Sequence, residues 1–116
     1  MSSESKQGVV IARQWRGWAS KQRAREYLDL FSTQVQAKLN TIRGYRRSLV
    51  LTRERGEETE IVTTTFFERL EDIIAFAGDD YEIANVSPEA RAILSHFEDT
   101  VSHFEVALEL PQTQSL

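Results

Sequence analysis

The sequence has no cysteine at all, only one methionine and two prolines, and no long apolar run. Without cysteine there can be no disulfide, no thiolate metal site and no thiol nucleophile. No segment approaches the roughly 20 apolar residues that a membrane-spanning helix needs. The opening Met1-Ser-Ser-Glu-Ser-Lys-Gln-Gly8 carries no apolar stretch of the kind a signal peptide requires, so a cytoplasmic protein is expected. What remains is ordinary for a folded domain: 41% hydrophobic and 28% charged residues, too apolar for disorder. A chain of 116 residues makes one domain, burying roughly two-thirds of its unfolded surface. The expected domain runs over residues 9–109, between polar tails at 1–8 and 110–116.

The net charge of −4 conceals a strong asymmetry. Residues 1–55 hold twelve of the fourteen Lys and Arg and four of the eighteen acids, whereas residues 56–116 hold two Arg and fourteen acids. The acids alternate with apolar residues, so the two halves are expected to pack on each other or on a second copy.

Val9 to Trp15 reads as a strand whose apolar start implies burial on both faces, punctuated by Gly17. Ser20 is placed to cap a helix on which Ala24, Tyr27, Leu28, Phe31, Val35 and Leu39 form one apolar stripe. Tyr45 to Arg53 and Glu60 to Phe67 read as strands joined by a hairpin loop, Glu54-Arg-Gly-Glu-Glu58. Leu49 and Leu51 share a face of the first; Ile61, Thr63, Thr65 and Phe67 share a face of the second. Glu68 to Ala77 reads as a helix stopped by Gly78. Ser87-Pro-Glu-Ala opens a further helix, with Ala90, Ile93, Leu94 and Phe97 on its apolar side and His96 at that side's edge. In the last strand, Val101 to Leu108, the residues Phe104, Val106 and Leu108 face one way and His103 and Glu105 the other.

The order is βαββαβ with an extra short helix before the last strand. It specifies an α+β, ferredoxin-like fold: a four-stranded antiparallel sheet with its first and third strands central and its helices on one face. Val10, Ala12, Val62 and Phe66 then need a cover that the helices cannot supply. A second copy, packed sheet to sheet, is the simplest, so a homodimer is expected.

Several stretches together resemble the antibiotic biosynthesis monooxygenase-like family. They are Ala12-Arg-x-Trp-x-Gly17, the helix with Tyr27 and Leu28, Gly44-Tyr45, Phe66-Phe67-Glu68, Phe76-Ala-Gly-Asp-Asp-Tyr81, Pro88-Glu89 and Phe97-Glu-x-x-Val-x-His-Phe-Glu-Val106. The resemblance covers residues 9–107 and implies a dimeric α/β-barrel, in which two ferredoxin-like sheets enclose a barrel between subunits. One branch of the family oxidises phenolic compounds without a cofactor, on an electron-rich substrate that itself activates oxygen. A haem-degrading branch uses an Asn, a Trp and an axial His at positions that fall near Arg13, Phe67 and Ala77. None of the three matches, so haem degradation is not expected and no cofactor is called for.

Two readings of function follow. In the first, a cofactor-independent monooxygenase holds a small aromatic or phenolic substrate between sheet and helices. Arg13 steers an anionic group, Trp15 and Phe67 stack, Tyr27 lies near the pocket, and His103 accepts a proton. In the second, the same dimeric scaffold binds a ligand or serves a structural role without catalysis. His103 and Glu105 point the same way from their strand, as an acid–base pair, two metal ligands or a polar lining, but two ligands are too few for a metal site. Asp79-Asp80 follows the Gly78 helix stop, where carboxylates are unfavourable, and is expected to cap a turn or meet arginines of the basic half. Arg43, Arg46, Arg47, Arg53 and Arg55 make the second strand basic. The glycine-aromatic signature of RNA-recognition motifs is missing from Glu60–Phe67, so nucleic acid is not an expected partner. Of the two tryptophans, Trp15 is the candidate for a pocket and Trp18 for packing at the start of the helix or at the dimer rim.

Overall fold

The structure, a computed structural model, describes residues 9–112. The expected N-terminal tail, and residues 113–116 of the C-terminal one, lie outside the described residues. Leu110, Pro111 and Gln112 are exposed and without regular structure.

Strand β1 (Ile11–Ser20) runs five residues beyond its expected end and passes straight through Gly17. Gly17 does not bend the chain. A Cβ there would stand 2.9 Å from the edge of the Trp15 ring and 3.4 Å from Leu94, so the position has room only for hydrogen. Ser20 accepts the Arg23 N–H at 3.2 Å and caps α1 (Lys21–Leu30). The helix continues through a π-turn (Phe31–Val35) into α2 (Gln36–Leu39). Strands β2 (Tyr45–Arg55) and β3 (Glu58–Phe67) meet in a two-residue turn tighter than the expected loop, with Gly56 at φ 63°. Helix α3 (Leu70–Ala77) ends on Gly78, whose φ of 93° favours glycine and whose N–H donates to Ile74 O at 2.7 Å. Ser87 caps α4 (Pro88–Ile93), accepting the Ala90 N–H.

The sheet order is β2-β3-β1, with two short strands, β4 (His96–Phe97) and β5 (Ser102–Glu105), both on the far edge of β1. β1 and β3 are therefore central, as the right-handed crossover rule requires. The expected last strand, Val101 to Leu108, forms only over Ser102–Glu105, and an unexpected short strand precedes it: β4 pairs with Gly17 and Trp18, and β5 with Ile11 to Gln14. Between them the Trp15 indole N–H takes Glu98 O at 2.8 Å, and Val101 N–H turns away to Glu82 O at 2.9 Å. The expected apolar-edge position of His96 in a helix is not what forms. α4 stops at Ile93, and His96 is exposed on β4, stacked on Trp18 with ring centroids 4.4 Å apart and bonded to Glu58 at 3.0 Å.

Register assigns the faces. Arg13 lies opposite Thr65 and His103, and Trp15 opposite Thr63. These residues face the helices, where Ala19, Tyr27, Phe31, Leu39, Ile61, Phe67 and Ile73 form the core. The opposite face carries Leu49, Leu51 and Phe104, the last two more than half exposed at 52% and 54%, beside the partly covered Val62 and Phe66. At one end of that face Glu60 is almost fully buried beneath arginines, with Arg53 Nε at 2.8 Å, Arg16 Nη1 at 3.3 Å and Arg55 Nε at 3.8 Å. The basic and acidic halves do pack on each other, because β3 lies between the arginine-bearing strands. Arg46 and Arg47 pair likewise with Glu68 and Glu109.

Gly44 also holds its place by closeness. A Cβ there would overlap the buried Asp72 carboxylate, which accepts the Arg69 N–H at 3.1 Å at the start of α3. Gly44→Ala should therefore destabilise the protein by about 1–3 kcal/mol, as overpacking does. Urea unfolding of the two proteins checks this; equal midpoints and slopes would contradict it.

Candidate functional site

A cleft of about 270 Å³ opens between the helix-facing side of the sheet and the helices. Its floor is Arg13 and Trp15 from β1 with Thr63 and Thr65 from β3. One wall comes from the long helix, where Tyr27, Phe31, Gln34 and Lys38 succeed one another along its length. The other is Phe76 of α3, Asn85 and Val86 of the following loop, and Ala90 of α4. Strand alternation accounts for the floor and helical spacing for the first wall.

Arg13 dominates the chemistry. Its side chain is on the buried side of the sheet, with 8% of the residue exposed. Nη1 donates to Tyr81 O at 2.6 Å and to His103 Nε2 at 3.1 Å. The guanidinium carbon stands 5.9 Å from the centroid of the Phe76 ring. Burial lowers the Arg13 pKa to about 10, with no carboxylate offsetting it, and no acid pairs with Arg13 among the described residues. Arginine stays protonated under all ordinary conditions, so the cleft has a cation at its base. Among the described residues Nε and Nη2 have no hydrogen-bond partner.

An arginine can only donate, so His103 Nε2 accepts and the imidazole proton sits on Nδ1. Burial holds the His103 pKa below its usual value; the positive charge of Arg13 lowers it further, and Glu82 opposes both. The Tyr81 ring packs edge-on to this imidazole at 5.4 Å. His103 thus stands behind Arg13 and does not line the cleft. Trp15 and Tyr27 do line it, with their rings 6.3 Å apart. Burial pushes the Tyr27 hydroxyl up to about 12, so it is a neutral phenol, a donor and not a base. Phe67 is fully buried behind Phe76, ring centroids 5.9 Å apart, and supports the wall without reaching the space. Glu105 shares the side of β5 that bears His103. Asp79 and Asp80 are exposed; Asp80 O closes a turn by accepting the Ile83 N–H at 3.0 Å, and neither residue meets an arginine among the described residues. Sequence reasoning passed over Lys38, Phe76 and Tyr81. The first two stand on helices joined to the floor only by tertiary packing, and Tyr81 acts through its backbone carbonyl, which any residue carries.

No protein-family model and no curated protein matches the sequence. Solved structures do match in shape. A candidate antibiotic biosynthesis monooxygenase from Bacillus cereus superposes with a TM-score of 0.64 at 13% identity, covering 90% of this chain and 100% of that one. A monooxygenase from the gene ActVA-Orf6 of Streptomyces coelicolor, solved with nanaomycin D, gives 0.54 at 12% identity over 95% and 97% of the two chains. A MhuD variant, solved with manganese protoporphyrin IX bound, gives 0.61 at 19% identity over 89% and 99%. The chain has the antibiotic biosynthesis monooxygenase-like fold.

Within this fold a haem held by histidine finds no ligand here. The chain's two histidines, His96 and His103, are both outside the cleft lining, and Ala77 ends α3 where the resemblance would place the axial ligand. The residues present do not fit that group. Among the described residues no cluster of three or more acids or histidines could hold a metal ion, and no helix is long and apolar enough to cross a membrane.

The Arg13–His103 contact has a measurable signature. The neutral imidazole is the form the fold holds, so the stability it adds is complete above the ordinary value of 6.5 and declines as pH falls through the lower folded value. An NMR titration should place His103 below 6.5 in the wild type, and Arg13→Gln should raise it. A His103 midpoint at or above 6.5 would contradict the arrangement.

Proposed function

We propose that the cleft binds a small aromatic anion, a phenolate or aryl carboxylate, and that it oxygenates a phenolic ligand there without a cofactor. The observation that carries this reading is Arg13. It is a buried cation with no described acid beside it, at the base of a cleft walled by Trp15, Tyr27, Phe31 and Phe76. A buried charge is costly until it is paired, and an anionic ligand would supply the partner.

The chemistry asked of the protein is modest. A guanidinium beside a phenolic oxygen favours the phenolate, the electron-rich form that reacts with oxygen. In a dihydroxy-anthrone-like ligand, the activated methylene carbon takes one atom of O2 to become a ketone. The other oxygen leaves as water with the two methylene hydrogens, so the ligand itself is the reductant. Tyr27 donates a hydrogen bond, Trp15 and Phe76 flank the ring, and His103 holds Arg13 in place by accepting from Nη1. His103 remains the nearest imidazole, but the described geometry gives it no direct exposure to the cleft.

A second reading, binding without turnover, has an observation of its own: among the described residues no carboxylate and no imidazole lines the cleft to serve as a general base. Oxygen uptake separates the two. With anthrone- or catechol-like phenols and no added metal or flavin, wild type should consume oxygen. Arg13→Gln should lose at least about tenfold in kcat/KM, the scale of one charged hydrogen bond, and His103→Ala should lose less. Binding by calorimetry with no uptake from any phenol would favour the second reading.

The assembly proposed with this function is a homodimer joined sheet to sheet. Leu51 and Phe104 stand more than half exposed on the face that no helix covers, with Leu49, Val62 and Phe66 alongside. Light scattering at micromolar concentration should give twice the chain mass, and Leu51→Asp should shift the species toward monomer. A monomeric wild type would remove this part of the proposal. A cytoplasmic location goes with it as an expectation of the same reading.

A further inference from the structure

Among the described residues seventeen line the cleft, and none of them is acidic, although acids outnumber basic residues by eighteen to fourteen in the chain as a whole. Two of them are cations. Besides Arg13 at the base there is Lys38, exposed in the last turn of the long helix, with Nζ 5.1 Å from the centroid of the same Phe76 ring that Arg13 approaches. A lysine in a last helical turn is ordinary, since it complements the helix dipole. Lys38, however, faces into the cleft and is in no salt bridge among the described residues. Lys21, Arg23, Arg46, Arg47, Arg53 and Arg55 pair with carboxylates, whereas the exposed Arg25, Arg43 and Arg91 are, like Lys38, in no salt bridge among the described residues. What sets Lys38 apart from those three is that it lines the cleft. An aromatic wall between a buried cation and a rim cation, with no acidic residue in the described lining, is complementary to a flat ligand that is acidic at both ends.

We infer that the cleft selects an aromatic ligand bearing two separated acidic groups, with Arg13 engaging one at the base and Lys38 the second at the rim. The inference rests on the proposed anion-binding role of Arg13 and narrows the ligand class within it. Lys38 is then the specificity residue. It is a flexible, hydrated point charge whose contact forms only when the second group is present. The aliphatic part of its side chain and the ring of Phe76 cover the ligand's face, and Gln34, one turn earlier, adds a neutral polar group to the same rim.

The test uses the full chain and three probes of one shape, with affinities read by calorimetry: naphthalene-2,6-dicarboxylate, 2-naphthoate and neutral 2-naphthamide. Wild type should prefer the dianion over the monoanion by about five- to tenfold, as one additional partly exposed charged contact allows. Raising the salt concentration should shrink the preference. Lys38→Gln should bring the dianion-to-monoanion ratio close to one, and Lys38→Arg should retain most of it. A purely structural role for Lys38 would weaken all three probes alike and leave the ratio unchanged, which overturns the inference. A wild type with no dianion preference, but with monoanion binding that Arg13→Gln removes, also overturns it and leaves the proposed function standing. If the amide binds as well as either anion, the reading of Arg13 itself fails.

Discussion

A guanidinium taken out of water without a carboxylate beside it is expensive, and much of this structure is arranged around keeping one such group in place. Arg13 is held from three directions. Tyr81 O on the loop after α3 and His103 Nε2 on β5 both accept from Nη1, and the Phe76 ring of α3 stands beside the guanidinium. His103 comes from the edge of the sheet, whereas Phe76 and Tyr81 come from α3 and the loop after it, which the sheet alone does not fix. The interaction therefore ties that helix and loop to the central strand. Neither hydrogen-bonding partner neutralises the charge, so the cation is ordered and desolvated yet without an acid beside it among the described residues, which is the condition for tight anion recognition.

The same alternation that puts Arg13 on the helix side leaves the other face of the sheet with a different problem. There the charge is the carboxylate of Glu60, and the chain solves it internally with three arginines from β1 and β2. Among the described residues, the buried acid Glu60 thus receives its counter-charges from neighbouring strands whereas the buried base Arg13 does not. Segregation of arginines into residues 1–55 and acids into 56–116 supplies the first pairing directly, since β3 inserts between the two strands of the basic half. It could have supplied the second, because β5 runs beside Arg13, but the residue opposite is histidine. Such a histidine orients a guanidinium without cancelling it.

The order of elements, the central placement of the first and third strands, and the face shared by Ile61, Thr63, Thr65 and Phe67 were all legible from periodicity, because alternation and caps are local signals. Arg13, Trp15 and Tyr27 were legible as a group only through the resemblance, and they do meet around one cleft. His103 was legible as lying across from β1, but not as standing behind Arg13, since periodicity gives a face and not a depth. Phe67 shows the same limit. Its face was readable, while its complete burial depends on Phe76 and Tyr45 closing over it. The separate β4 ahead of the last strand was invisible because the break between β4 and β5 is made by a tertiary contact, the Trp15 indole N–H donating to Glu98 O. Gly17 looked like a bend, since a glycine needed for space has the same letter as a glycine needed for a turn.

The long helix shows how a pattern can be legible while its geometry is not. Tyr27, Phe31, Val35 and Leu39 are spaced by fours, and in a regular α-helix each such step drifts about 40° around the axis. Over three steps Leu39 would turn well away from Tyr27, yet Tyr27, Phe31 and Leu39 are all buried in one core. The π-turn at Phe31–Val35 resolves the conflict: the Gln36 N–H reaches back five residues to Phe31 O, and the wider turn absorbs the drift. A helix kept strictly α would have had to choose between burying Leu39 and keeping Tyr27 and Phe31 over the cleft. The chain gives up one regular turn and keeps both. The apolar stripe that seemed only to declare a helix thus also specifies the irregularity that lets one helix serve the core at its far end and the cleft along its middle.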